Sequence, residues 1–446
     1  MEKLPTALKD CQNIGLVGLG DSNRGVLMHL EKCEGIQKIS VRASKETDCA
    51  YPARFGQDYL LDITEDALIL SPSVRPDLAP LLRARERGTR LLSDAEIFFT
   101  DTKAECYAVS GSDGKSTTTA LLSHLLTVSM KKEVPAVGNI GRALTPLLAE
   151  DHATYAVELS SFQLFHYAPK TKRAVITNLT ENHLNWHKGM AEYASAKAKL
   201  YEKTEEPVLC LDKTGSEALL KKTPFSVYSL QKSEKEMTKC KSEFAYYIKN
   251  EAVFENGKSI FPLSLFPLRG EYNLYNLLAA LAMAAGLVHK ASAYLLKDFS
   301  PLSHRCEPIA ELSGIRFFDS SIDSSPSRTA QTLSSLSAPI VLLLGGLGKG
   351  CALHPLLPGI FEKCRAVIGF GPFGEEALRF LKDAGYDGIL SEPLPKLADA
   401  IAQSLRLARR GDTVLLSPAA TSFDEFENFS ERGKAFRRLV QKFGMQ

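Results

Sequence analysis

At 446 residues, 44% hydrophobic and 24% charged, the chain has the make-up of a soluble globular protein too long for one core, and roughly two to four domains are expected. A formal net charge of +2 speaks against a broad nucleic-acid surface, and no apolar run reaches the ~18 residues of a membrane span. Nine cysteines with no C-x-x-C pair exclude a zinc ribbon, fit a reducing cytoplasm, and are mostly expected to be small buried side chains.

The N-terminal MEKLPTALKDCQ lacks an apolar signal core. Residues 1–100 read as a small α/β domain. Asn13–Gly20 is an apolar strand ending in glycines, and a helix begins by Val26–Leu30. Gly18, Gly20 and Gly25 do not form G-x-G-x-x-G, and Arg42-Ala43-Ser44 follows the second strand where a sugar-binding acid often stands. A nicotinamide dinucleotide is therefore disfavoured, while a diphosphate site and a plain glycine turn both stay open. A strand at Asp66–Pro72, a helix at Pro80–Arg87 and a short strand at Leu91–Ser93 lead to a polar boundary at Asp101–Glu105.

Residues 101–299 form the second domain around Tyr107–His124, read as strand, glycine-rich turn and helix. In Gly111-Ser112-Asp113-Gly114-Lys115-Ser116-Thr117 the backbone N–H groups converge at the positive end of a helix, a geometry that holds polyphosphate. Lys115 would reach the terminal phosphates, and the hydroxyl of Ser116 or Thr117 would sit on a magnesium ion. The spacing is shorter than the common G-x-x-x-x-G-K-[ST], so a simple helix entry is the competing reading. Downstream, Gly138–Gly141 is expected in a loop that touches a ligand. The strand Tyr155–Val157 delivers Glu158, either a magnesium ligand or a surface charge. His183 and His187 make a weak metal pair. Lys197 and Lys199 on a helix over Met190–Tyr201 would ordinarily be a solvated face, and the lone Trp186 is packing or a substrate platform. Residues 208–256 are expected to be surface hairpins and loops. Asn273 and Asn276 precede an alanine-rich helix at Leu277–Ala285, where they could hold a base or cap the helix.

Ser300–Ser303 resembles a hinge into a third domain, residues 300–446. Strands at Ile315–Asp319, Ile340–Gly346, Ala366–Phe370 and Thr413–Ser417 alternate with helices, the first starting near Arg328. The fold class is therefore α/β, with mostly parallel sheets and ligands at their carboxyl edges.

These stretches together resemble the Mur ligase family. Its phosphate loop, G-T-N-G-K-[TS]-T, matches Gly111–Thr117 with Ser112 and Asp113 changed. Gly138–Gly141, Glu158-Leu159-Ser160-Ser161-Phe162-Gln163-Leu164 and Leu416–Asp424 with Arg432-Gly433 also look like family segments, the last two characteristic of its D-glutamate-adding branch. The resemblance implies a Rossmann-like first domain for the UDP part of an acceptor, a central ATPase-like domain and a Rossmann-like third domain for the incoming amino acid. It implies a cytoplasmic enzyme, expected to be a monomer, with no nucleic-acid or membrane partner. It would use ATP and Mg2+ to join D-glutamate to UDP-N-acetylmuramoyl-L-alanine.

The resemblance also implies residue roles. Gly111, Ser112, Asp113, Gly114, Lys115, Ser116, Thr117, Asn273, Arg305 and Asp319 would bind ATP. Ser116, Glu158, His183 and a carbamylated Lys197 would hold metal. Gly18, Leu19, Asn139 and His183 would bind the acceptor, and Lys349, Ser422, Phe423 and Phe429 the amino acid. Lys115, His183 and Lys197 would be catalytic. The chain departs from the family at Ser321 and Asp323, where lysine and threonine are usual, and at Ala43, Asn182 and Asn185, where acids are usual. Arg328 is a candidate to offset Asp323. A folylpolyglutamate-type ligase and a catalytically silent nucleotide-binding scaffold are the alternatives.

Overall fold

Three runs of alternating strands and helices build three sheets. The computed structural model describes residues 2–140, 142–184, 186–212, 223–289, 293–300 and 303–444. The expectations placed on Gly141, Asn185, Pro301 and Leu302 lie outside those residues. The chain divides into two compact units, Met1–Phe266 with Leu274–Phe299, and Pro267–Asn273 with Ser300–Gln446. No helix among the described residues is long and apolar enough to cross a membrane.

The first sheet comprises β1 (Asn13–Val17), β2 (Lys38–Ala43), β3 (Ala53–Phe55), β4 (Ala67–Leu70) and β5 (Arg90–Leu92), all parallel, in the order β3-β2-β1-β4-β5. β4 is buried throughout and β1 nearly so, as expected of strands covered on both faces. Gly25 sits inside the helix Asp21–Leu30 because Ala143 leaves no room for a Cβ. Its role is close packing. Arg42 is buried and bidentate to Glu65, at 2.8 and 2.9 Å, and also donates to the carbonyls of Tyr59 and Leu61. Burial works to raise the Glu65 carboxyl, but its hydrogen bonds from Arg42 and Ser40 outweigh this and hold it below the usual range.

The central sheet has nine strands in the order β14-β13-β12-β11-β10-β9-β6-β8-β7. They are β6 (Glu105–Ser110), β7 (Ala136–Gly138), β8 (Thr154–Glu158), β9 (Lys170–Ile176), β10 (Lys203–Cys210), β11 (Ser226–Ser229), β12 (Phe244–Lys249), β13 (Ala252–Glu255) and β14 (Lys258–Pro262). Pairing is parallel from β7 to β12, and only β12-β13-β14 runs antiparallel. The expectation of surface hairpins over 208–256 is thus corrected: among the described residues the stretch extends the sheet, with antiparallel pairing at its far edge. Its strands are short and flanked by charges, which hid them, yet Val208, Cys210, Val227 and Tyr246 are buried.

The third sheet, β15 (Glu307–Leu312), β16 (Ile315–Asp319), β17 (Ile340–Gly345), β18 (Cys364–Phe370), β19 (Ile389–Leu390) and β20 (Thr413–Leu416), has the order β15-β16-β20-β17-β18-β19. All its pairs are parallel except β15 with β16. Along β17 and β20 side chains alternate between two cores, Leu342, Leu344 and Leu415 on one face and Val341, Leu343, Val414 and Leu416 on the other. The helix after β16 starts at Pro326, two residues before the expected Arg328. Of the nine cysteines only Cys11, Cys106, Cys210 and Cys364 are fully buried and Cys351 is exposed, which corrects the expectation that most are interior.

Replacing Arg42 by Met leaves Glu65 buried beside apolar atoms and should cost about 3–5 kcal/mol of stability. Urea unfolding should show this, and Arg42→Met with Glu65→Leu should recover part of the loss.

Candidate functional site

The parallel strands β6, β8 and β9 end side by side, with Val109 opposite both Glu158 and Val175, so their carboxyl ends meet at the turn Gly111–Gly114. The turn's shape depends on two glycines with positive φ, +145° at Gly111 and +79° at Gly114. A Cβ on the first would strike Thr177 Oγ1, and on the second Asn276 Oδ1. Segment 177–180 holds the turn from outside. Ser112 N–H donates to Asn178 O and Asp113 N–H to Asn178 Oδ1, both at 3.0 Å, while Thr177 Oγ1 donates to Asp113 O. The Ser112 hydroxyl is buried against Thr180 O (2.9 Å) and Tyr193 OH (3.0 Å), so this residue shapes the turn with its side chain. The helix Lys115–Met130 then opens, aiming its first-turn N–H groups, Ser116 and Thr117 included, towards the turn.

Lys115 folds back over the turn, its Nζ donating to Gly111 O (2.9 Å) and Ser112 O (2.8 Å). Lys197 reaches the same Gly111 carbonyl at 2.7 Å from the helix Met190–Glu202, and Ser110 Oγ at 3.2 Å. It is 1% exposed, which corrects the expectation of a solvated face. Burial first, then the charge of Lys115, hold its amine well below the ordinary lysine range, with Glu158 and Asp113 acting the other way. Lys199 lies apart, donating to Phe165 O.

Glu158 is the last residue of β8 and 1% exposed. Its Oε1 accepts from Asn139 Nδ2 at 2.8 Å, while its Oε2 is buried with no hydrogen-bond partner among the described residues. Thr117 Oγ1, on the first turn of the phosphate-loop helix, is in the same position. A buried carboxylate oxygen and a buried hydroxyl left open beside such a turn are the hard oxygen donors a magnesium ion takes, so these residues fit that ion. Gly138 ends β7 instead of lying in a loop, and Asn139 after it holds the carboxylate.

The segment after Glu158 explains itself locally. Ser160 and Gln163 form a reciprocal capping box that starts the helix Ser161–His166, and Ser161 Oγ meets His187 Nε2 at 3.0 Å. His187 is buried there, whereas His183 is exposed, with φ +56° and its ring 4.9 Å from Phe162. Trp186 is a packing residue: its Nε1 donates to Ser73 O, and the Arg75 guanidinium lies 4.9 Å from both the Trp186 and Phe165 rings.

Among the other expected residues, Gly18 donates its N–H to Arg42 O, and Leu19 is buried. Asn23, which the sequence reading missed, fixes that turn by donating to the Gly18, Val17 and Ile69 carbonyls. The helix over Glu271–Met283 begins earlier than expected, so Asn273 and Asn276 lie within it and are not caps. Asn273 Nδ2 donates to Arg269 O; Asn276 accepts from Thr118 Oγ1 at 3.2 Å and abuts Gly114. Asn276 is the asparagine of this helix that touches the turn.

In the second unit Asp319 is fully buried, its carboxylate held by His304 Nδ1 (2.6 Å) and Ser321 N–H (2.9 Å). Arg305 follows His304 and is half-buried. Arg432 is buried and donates to Ser321 Oγ and to the carbonyls of Ser321, Ala420 and Thr421, tying together the loops after β16 and β20. Burial lowers its guanidinium to about 10. Lys349 Nζ lies 3.3 Å from Ser324 Oγ, Ser422 is buried, Phe423 is 69% exposed, and Phe429 opens the helix Phe429–Gly444. Partial desolvation, then the charges of Arg328 and Arg432, keep Lys349 below the ordinary lysine range. Asp323 is buried, accepting at Oδ2 from Thr332 Oγ1 and Ser417 Oγ, both at 2.7 Å.

Residues 109–284 match the model of the Mur ligase middle domain. The UDP-N-acetylmuramoylalanine--D-glutamate ligases of Clostridium kluyveri and Clostridium perfringens are each 32% identical to this chain, over 96% of it and 96% of their own length. Among solved structures, a UDP-N-acetylmuramate-alanine ligase from Thermotoga maritima aligns with a TM-score of 0.62 at 19% identity, covering 96% of this chain and 99% of its own. A pseudomurein peptide ligase type C from Methanothermus fervidus aligns with a TM-score of 0.59 at 14% identity, covering 97% and 100%. These two likenesses are of fold. Identity near one third across nearly the whole of both chains is kinship, and the chain belongs to the Mur ligase family.

Proposed function

We propose that this chain is an ATP-dependent ligase that joins D-glutamate to UDP-N-acetylmuramoyl-L-alanine during cytoplasmic synthesis of peptidoglycan precursors. The named relatives support the substrates. The observation that carries the chemistry is a phosphate-type loop flanked by a buried carboxylate with one open oxygen and a buried lysine held below its usual range.

In this reading residues 1–100 bind the UDP end of the acceptor, 101–299 bind ATP, and 300–446 bind the amino acid. The acceptor carboxylate attacks the γ-phosphorus of ATP, ADP leaves, and an acyl phosphate forms. The D-glutamate amine then adds to the acyl carbon, and the tetrahedral adduct expels phosphate to leave the amide. Phosphoryl transfer asks mainly for in-line placement and charge neutralisation. Lys115 swings from the Gly111 and Ser112 carbonyls to the terminal phosphates, while the opening N–H groups of its helix cradle them. Gly18, Leu19, Asn139 and His183 orient the acceptor. Asn273, Arg305 and Asp319 belong to the nucleotide's surroundings, Asp319 acting from its enclosed position through Ser321 and His304. Lys349, Ser422, Phe423 and Phe429 receive the amino acid.

Ser116 or Thr117, Glu158, His183 and a modified Lys197 would hold magnesium, which supplies positive charge against the phosphates. An uncharged amine is the form that adds carbon dioxide, and the Lys197 site favours that form. Addition with loss of a proton gives a carbamate, turning a potential cation into an anionic oxygen donor. Exclusion of water protects the acyl phosphate from hydrolysis.

Phosphate release should require ATP, UDP-N-acetylmuramoyl-L-alanine and D-glutamate together, with D-glutamate the best of a panel of amino acids; preference for another amino acid would overturn the assignment. Lys115→Ala should reduce acceptor-dependent ADP formation at least about a hundredfold. Lys197→Ala should be inactive and partly restored by added formate or acetate, followed by the same phosphate assay. Absence of rescue in a folded variant would argue against the carbamate.

A further inference from the structure

We propose that Arg75 is a positioning residue: it fastens the loop beside the Gly18 turn to the turn that carries His183, and so fixes the path along which the acceptor lies. This deepens the ligase reading above and rests on it.

Gly18 and His183 follow strands of different sheets, and residues 71–77 run between them. The segment leaves the carboxyl end of β4 and is stiffened by Pro72 and Pro76. Its first half packs on the Gly18 turn, where a Cβ on Gly18 would lie 3.0 Å from Ser71 Cβ and 3.8 Å from Val74 Cγ2. Its second half meets the central domain. Arg75 Nη1 donates to Trp186 O at 2.7 Å, and Trp186 Nε1 donates back to Ser73 O at 2.8 Å. The guanidinium also forms a two-pronged pair with Asp77, at 2.8 and 2.7 Å, and another with Glu192, at 3.0 Å for both bonds. All five of its N–H donors are thereby used. Its plane is further fixed by the Phe165 and Trp186 rings, each 4.9 Å away.

An exposed ion pair would contribute little, but the Arg75 side chain is 14% exposed and its geometry is fully specified. What it specifies is the His183 turn. His183 has a φ of +56°, and its carbonyl accepts from the N–H groups of Trp186 and His187, both at 3.0 Å. A turn of that kind keeps its shape only while its surroundings hold it. Arg75 grips the carbonyl and ring of Trp186 from the first domain's side. Glu192, on the helix that bears Lys197, grips the other end by accepting from Lys188 N–H at 2.9 Å. Hydrogen bonds from Arg75 are the first cause that holds the Glu192 carboxyl down at about 2, so the pair stays charged at neutral pH. The phosphate turn is secured separately, through Thr177 and Asn178. Loss of Arg75 therefore reaches the acceptor and spares the grip on the nucleotide.

The test measures KM for UDP-N-acetylmuramoyl-L-alanine and for ATP, by phosphate release, in the wild-type enzyme and in Arg75→Met, Arg75→Lys and Glu192→Gln. KM for the acceptor should rise at least about tenfold in Arg75→Met, while KM for ATP stays within about twofold. Arg75→Lys keeps the charge without the planar fork and should restore only part of the loss. Glu192→Gln should show the same split at smaller size, and it decides the matter if Arg75→Met does not fold. An unchanged acceptor KM in the folded variants, whatever happens to kcat, would overturn the proposal and leave the ligase reading intact. So would equal rises for ATP and acceptor, the mark of a purely structural role. A wild-type enzyme whose phosphate release does not depend on the acceptor would overturn both.

Discussion

Two lysines converge on one carbonyl oxygen, that of Gly111, and much of the site follows from that crowding. Gly111 can turn its carbonyl that way only because its φ of +145° suits a residue without a Cβ and because Thr177 fills the space beside it. Two full positive charges on one acceptor are mutually costly. Lys115 has a second carbonyl and a way towards solvent; Lys197 is enclosed, and its charge is disfavoured. One turn of backbone thus differentiates two chemically identical side chains, one partly exposed and the other enclosed.

The second unit uses a related device. Arg432 is buried among carbonyls of the loops after β16 and β20, which the Ser417–Asp323 hydrogen bond also joins. Desolvating a guanidinium is costly, and several hydrogen bonds offset it. The result is a fixed floor, with Asp319 held by His304 and Ser321 and Asp323 by two hydroxyls. Several polar groups that look chemically available in the sequence are hydrogen-bonded inside the fold here, whereas Lys349 and the apolar Phe423 are exposed.

What was legible in the sequence was what lies contiguous along the chain. Strand, turn and helix at 105–130 are encoded in adjacent residues, as is the capping box that begins at Ser160. Lys197 could not be separated from Lys199 by pattern, since its burial depends on a turn 86 residues away. Likewise Arg42 marked a departure from an acidic position, but its partner Glu65 lies 23 residues on. Asn23 carried no signal of its own because it works by donating to the carbonyls of a glycine turn and of a strand 46 residues on, and Asn276 stood out only as a base contact or cap because the turn it abuts lies far back in the chain. The strands between 203 and 255 were obscured because central-sheet burial falls on four-to-eight-residue segments whose flanks are charged.

The single tryptophan has a use beyond packing. Trp186 lies between the Arg75 guanidinium and the His187 ring, with its indole N–H fixed on Ser73. Of its ring neighbours, Phe162 also meets His183, and His187 meets Tyr193 on the helix bearing Lys197. Excited at the red edge of its absorption, where the chain's 14 tyrosines are silent, emission from this chain therefore reports on one spot, beside Phe162 and His187. The molecule carries its own optical label, needing no dye to follow changes there.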